Sequence, residues 1–226
     1  MKTLFFKLIG TTKKYNKSGS TKTNLLYEGR KGKMAEVILP FGKEKMKVTI
    51  PKNRLNGILV SKAHEFKSDR SEEDIVKDAL EHPIQSKPLR ELVKGKDNIV
   101  MIASDHTRPV PSKVIMPGVL DEIKAGNPNA KLTILIATGF HRPTTREELI
   151  YKFGKDVVNR EDITFAIHKS HEDADMVELG TLPSGGSLKI NKIAADADLL
   201  ISEGFIEPHF FAGFSGGRKS VLPGVS

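Results

Sequence analysis

From Asn98 onward the chain alternates between short, continuous apolar runs and longer segments with helical spacing. Ile99–Ala103, Lys131–Ala137, Ile163–Ile167 and Leu199–Ile201 are the apolar runs. Strands apolar at every position are buried on both faces, which is the signature of a parallel sheet between helical layers. Segments 113–125, 144–153 and 189–195 read as helices, the first perturbed by Pro117-Gly118. Earlier, 36–39 and 45–50 flank Pro40-Phe-Gly-Lys43, a hairpin signal, and 58–60 is a candidate third strand. Ser71-Glu-Glu-Asp74 caps a helix whose apolar face is Ile75, Val76, Ala79 and Leu80, stopped by Pro83. A further short helix is expected at 89–93. The expected class is therefore α/β: a mainly parallel sheet with helices on both faces, preceded by a small N-terminal β-hairpin region.

Charge changes this picture only at the front. The net charge of +8 is carried entirely by residues 1–33, and the remaining chain is balanced. A nucleic-acid-binding domain carries its excess basic charge on the folded part, so no nucleic-acid partner is expected. Thr11 to Thr23 is polar and lysine-rich with little to bury, and is expected to be disordered. Glu28-Gly-Arg-Lys-Gly-Lys33 can be written in purine-only codons, as a ribosome-binding leader would be. The stretch 1–33 thus reads as a basic leader or a mis-called start, with Met34 as the native beginning and 34–226 as the α/β domain. The chain has no cysteine, which fits a reducing compartment, and no apolar run long enough to span a bilayer. A cytoplasmic protein with no membrane partner is the expectation.

Ligands of parallel sheets bind beyond the carboxyl ends of the strands, so those ends carry the functional signal. Strand 99–103 runs into Ser104-Asp-His-Thr-Arg-Pro109, and strand 131–137 into Thr138-Gly-Phe-His-Arg-Pro143. The last strand runs into Glu207-Pro-His-Phe-Phe-Ala-Gly-Phe-Ser-Gly-Gly-Arg-Lys-Ser220. His106, His141 and His209 occupy equivalent positions, with Arg108, Arg142 and Lys219 beside them. Imidazole suits proton transfer near neutral pH, and arginine suits bidentate contact with a carboxylate or phosphate. Gly216 and Gly217 let backbone N–H groups approach a phosphorylated ligand, although the spacing is not that of a P-loop. His168 and His171, among Glu172, Asp173 and Asp175, read as a solvated loop, with a metal-hydrolase site as a distant alternative. His64 and His82 read as surface residues.

These three segments resemble the signature segments of the nickel-dependent lactate racemases, over about Met34 to Ser226. The resemblance implies a nickel-pincer nucleotide (pyridinium-3,5-bisthiocarboxylic acid mononucleotide with Ni) joined covalently to the Lys219 amine. It further implies His141 and His209 as general acid and base on opposite faces of a small 2-hydroxy acid. Arg108 would lie near the substrate carboxylate, and Asp105 would help position cofactor or substrate. Gly216 and Gly217 would form part of the cofactor site. The implied reaction is reversible hydride transfer from lactate or a related acid, with cofactor-synthesis enzymes as maturation partners. The family's nickel-ligating histidine and second domain would lie beyond Ser226, so no metal ligand is expected in this chain. The chain alone is accordingly expected to be inactive, with a loosely held segment after Lys219. The alternative reading is a non-catalytic nucleotide- or phosphate-binding module.

Overall fold

A computed structural model describes residues 3–5, 33–60, 65–209 and 211–226. Most of the 1–33 leader, with its expected disordered tract, and His64 lie outside the described residues. The chain divides into two compact units, 11–67 and 1–10 with 68–226.

In the larger unit, β1 (Thr3–Phe5) is followed by the helix α1 (Glu72–Glu81). Ser71 caps α1 by accepting from the Asp74 N–H at 3.0 Å. In the smaller unit, β2 (Met34–Phe41) and β3 (Glu44–Pro51) form the expected antiparallel hairpin. Residues 58–60 form no strand. Leu59 is fully exposed, so a short apolar run there finds no neighbour to pair with.

The sheet of the larger unit is built from β1, β4 (Asn98–Ser104), β5 (Lys131–Ala137), β6 (Ile163–Ile167) and β9 (Leu199–Ser202). Its order is β1-β9-β4-β5-β6, with every pairing parallel. Alternate residues of β4 point to opposite faces, as the pleat requires. Ile99, Met101 and Ala103 join the larger core, and Val100 and Ile102 the smaller one. The larger core is closed by α1, α2 (Leu89–Leu92), α3 (Ser112–Gly126) and α4 (Arg146–Phe153). The smaller is closed by Ala194 of α6 (Lys192–Ala195) and by Val221 and Val225. Each fully buried leucine or isoleucine contributes about 1.5–3 kcal/mol to holding these layers together. The segment after Lys219, expected to be loosely held, is instead packed: Val225 is fully buried, and its carbonyl accepts from the Asn191 N–H at 2.7 Å.

One helical expectation changes and one unexpected helix appears. The short α5 (Lys155–Val158) follows Gly154, and the segment expected to be helical from Lys189 is a strand until Asn191. That strand, β8 (Ser187–Asn191), pairs antiparallel with β7 (Met176–Thr181). The Pro183-Ser-Gly-Gly186 turn between them is the signal that marks the hairpin. No described helix is long and apolar enough to cross a membrane.

Candidate active site

Three chain segments leave the carboxyl edge of the sheet carrying the residues singled out above. The first begins at Asp105, directly after β4. Its carboxylate is buried, 2% exposed, and accepts from the Thr107 hydroxyl at 2.7 Å and the Thr107 N–H at 3.1 Å. The Arg108 N–H closes the turn onto the Asp105 carbonyl at 3.3 Å. Arg108 itself is exposed, and among the described residues its guanidinium has no ion-pair partner.

The second segment follows β5. Thr138 anchors it by donating its hydroxyl to the His168 carbonyl at 2.6 Å. The Thr138 carbonyl accepts the His141 N–H at 2.9 Å, which turns the ring toward β4. There His141 Nδ1 lies 2.6 Å from the second carboxylate oxygen of Asp105, the shortest of that carboxylate's contacts. A carboxylate accepts only, so the His141 proton is on Nδ1 and the Nε2 lone pair is left outward.

Arg142 does not join the anion-binding cations as expected. Its guanidinium grips Glu148 bidentately at 2.9 and 2.6 Å. With the Thr145 N–H also donating to it, the Glu148 carboxyl is pulled down to about 2. Thr145 and Glu148 form a complete capping box at the start of α4. His106 is likewise occupied: its Nδ1 lies 3.0 Å from the Thr144 hydroxyl and 3.7 Å from Glu148. It therefore ties the first segment to α4, leaving His141 as the ring that meets Asp105.

The third segment folds into a small hairpin, β10 (Pro208–His209) against β11 (Gly213–Phe214). His209 Nδ1 accepts from the Ala212 N–H at 3.2 Å, so its proton sits on Nε2. The ring stacks edge-on with Phe211 at 4.4 Å between centroids. Lys219 follows in the single 3-10 turn Gly217–Ser220, and its ammonium donates to the Ala212 and Phe214 carbonyls at 2.5 Å each. The lysine is thus held against the same hairpin that carries His209. Gly216 makes this turn possible: its φ is +73°, and a Cβ there would meet the Phe205 carbonyl oxygen at 2.7 Å. The Gly139 N–H donates to the Gly224 carbonyl at 3.1 Å, which joins the His141 loop to the segment after Lys219.

His168 departs from its expected place in a solvated loop. It is 1% exposed, its Nδ1 lies 3.3 Å from the Asn191 amide, and burial pushes its pKa down. Among the described residues no three His, Asp or Glu side chains converge as a metal site. Sequence reasoning missed Thr107, Glu148, Lys152 and Glu203. Only Glu148 had a readable signal, the Thr-x-x-Glu spacing of a capping box.

A parallel α/β domain with an aspartate-oriented histidine, a second histidine of opposite tautomer and an amine at one sheet edge has the parts for proton transfer on a small anion. Residues 41–226 match the family described as the lactate racemase N-terminal domain, and the chain belongs to that family. It is 58% identical over 193 residues to the lactate racemase of Thermoanaerobacterium thermosaccharolyticum, spanning 85% of this chain and 45% of the relative. The lactate racemase of Lactiplantibacillus plantarum is 53% identical over the same shares. The chain thus spans less than half the length of these relatives. The structure of the lactate racemase apoprotein from T. thermosaccharolyticum superposes with a TM-score of 0.71 at 56% identity, over 84% of this chain and 44% of that one. A Thermotoga maritima protein at 22% identity shares the fold, with a TM-score of 0.55 over 68% of this chain and 38% of that one.

Proposed function

We propose that the protein interconverts the enantiomers of a small 2-hydroxy acid, lactate or a near relative. The observation that carries this reading is the pair of opposite tautomers. His141 presents a lone pair on Nε2, and His209 presents a proton there. His141 is therefore set to take the hydroxyl proton and become imidazolium, while neutral His209 holds the substrate oxygen through Nε2–H and returns a proton only once it is itself imidazolium, with the roles exchanged in the reverse direction. Asp105 keeps His141 in its productive tautomer and favours the imidazolium formed when the proton arrives. Arg108 binds the substrate carboxylate, since its planar fork matches two oxygens at once.

Proton transfer alone cannot invert C2, because the hydrogen on that carbon is not acidic enough for imidazole. A nickel-pincer nucleotide held by Lys219, as in the family the chain resembles, supplies an acceptor for that hydrogen when bound. The residues present suit such a group. Lys219 offers a primary amine restrained only by two carbonyl hydrogen bonds. Gly217 leaves its backbone open, with nothing within 4 Å of a Cβ built there, while Gly216 packs against the Phe205 carbonyl and sets the turn. Arg218 adds a cation for phosphate.

The test is intact mass spectrometry of the protein co-produced with cofactor-synthesis enzymes. A mass increase mapping to Lys219, absent from Lys219→Ala, is expected. An unmodified wild-type lysine under conditions that load a known relative would overturn the assignment.

A further inference from the structure

Beneath the 105–108 turn lies a lysine that the acid–base chemistry does not use. Lys152 is on α4, where a lysine ordinarily snorkels to water. Here it is 8% exposed, and its ammonium donates to the Arg108 carbonyl at 3.3 Å. Burial pushes its pKa down, while Glu203 and Asp105 draw it back up. Those two carboxyls stand at the ends of β9 and β4 and act on it through space. The Phe153 ring lies 5.8 Å from the ammonium. Glu203 is 6% exposed and buried beside an apolar pocket lined by Leu80, Met101, Ile115 and Ile201. Neither of its carboxyl oxygens has a hydrogen-bond partner among the described residues. Burying an ammonium is costly unless it is paired and hydrogen-bonded; Glu203 and Asp105 supply the opposing charge here, and the Arg108 carbonyl supplies the hydrogen bond. The group held here is the main chain of Arg108.

We propose that Lys152 is a positioning residue for Arg108, fixing the 105–108 turn from below so that the guanidinium leaves it in one direction. This rests on reading Arg108 as the carboxylate-binding residue. The turn is then clamped at both ends. Asp105 holds Thr107 and the Arg108 N–H from one side, and Lys152 holds the Arg108 carbonyl from the other. A guanidinium on a long side chain binds a carboxylate well only if its root is fixed, because each free rotamer costs affinity. Asp105 links this clamp to His141, so the same turn sets the places of base and carboxylate anchor. As pH rises through the lowered Lys152 pKa, the ammonium is lost and its hold on the carbonyl weakens.

Two measurements test this, and the first needs no turnover. In this chain, labelled with ¹⁵N and ¹³C, the Lys152 Nζ should titrate below the ordinary lysine value. The Arg108 carbonyl ¹³C resonance should move with the same midpoint. An Arg108 signal that ignores the Lys152 titration overturns the proposal, whether or not any variant folds. The second uses the protein extended to the full length of its relatives and loaded with cofactor. Lys152→Met should raise KM for the hydroxy acid about tenfold with kcat little changed, as loss of one positioning hydrogen bond implies. Lys152→Arg should restore most of the affinity. A fall in kcat with KM unchanged, or failure of arginine to rescue a folded protein, would contradict it. If unsubstituted extended protein racemises nothing, the racemase reading fails while the titration result still stands or falls by itself.

Discussion

Replacing Asp105 by asparagine isolates the contact on which the acid–base assignment depends. The carboxylate uses one oxygen for Thr107, at 2.7 and 3.1 Å, and the other for His141 Nδ1 at 2.6 Å. Asparagine keeps both Thr107 bonds if its carbonyl takes the first position. Its NH₂ then faces His141 Nδ1, and two donors cannot share one hydrogen bond. The ring must move its proton to Nε2 and accept through Nδ1. The bond survives as a neutral one, so the loss is the difference between charge-assisted and neutral bonds, about 1–2 kcal/mol. The flipped amide is worse, because it turns a donor on the Thr107 N–H and hydroxyl. The fold should therefore survive while the outward lone pair of His141 disappears. Without its base the reaction should slow by about 10²–10⁴-fold. A long-range ¹H–¹⁵N spectrum of the neutral rings reads the tautomer directly, in this chain and without cofactor. His141 should be protonated at Nδ1 in the wild type and at Nε2 in Asp105→Asn. Persistence of the Nδ1 proton in a folded variant would refute the reasoning.

Other outcomes follow from the same geometry. The Glu148 carboxyl, drawn down to about 2 chiefly by Arg142, stabilises the fold above the ordinary carboxyl value. That stability should be present above pH 4.5 and be lost as pH falls toward about 2, and Glu148→Gln should flatten this part of an acid-unfolding curve. Glu203 has the opposite sign: burial raises its pKa, so its contribution is greatest below the ordinary carboxyl value and fades as pH rises through the raised one. Glu203→Gln should remove this dependence, so its thermal midpoint should gain on the wild type as pH rises; a difference that does not change with pH would contradict the raised carboxyl. Gly216→Ala should destabilise the Lys219 turn by about 1–3 kcal/mol from its backbone conformation alone, φ +73° and ψ −160°. The clash with the Phe205 carbonyl adds to this, and modification at Lys219 by mass spectrometry should drop in step.

The continuous apolar runs made the central strands readable, because a buried parallel strand has no polar face to confuse the pattern. The hairpin 176–191 was harder to see. β7 is largely exposed and β8 is buried only at Ile190 and Asn191, so hydrophobic periodicity says little there, and only the Pro-Ser-Gly-Gly turn marks it. Of the site, the strand-end motifs placed Asp105 and His141 at adjoining strand ends, and the structure puts them in contact. The fate of each cation could not be read in the same way. Arg108 and Arg142 stand in similar His-Thr-Arg-Pro and His-Arg-Pro contexts, yet Arg142 meets Glu148 from the next helix and Arg108 meets no acid among the described residues. Lys152 and Glu203 look like solvated charges in sequence. Their burial comes from how α4 and the end of β9 pack, which no local pattern encodes. His168 was misplaced for the same reason, since its charged neighbours point outward while its ring turns in beside Asn191.

The central claim is that His141 and His209 form an acid–base pair that inverts a 2-hydroxy acid. It is tested most directly by chiral chromatography of D- and L-lactate incubated separately with the cofactor-loaded protein, extended to the full length of its relatives. Wild type should carry both incubations to the same equal mixture. His141→Ala and His209→Ala should each stop the conversion from both starting enantiomers while Lys219 remains modified. Undiminished racemisation in either variant, with Lys219 modified, would contradict the account.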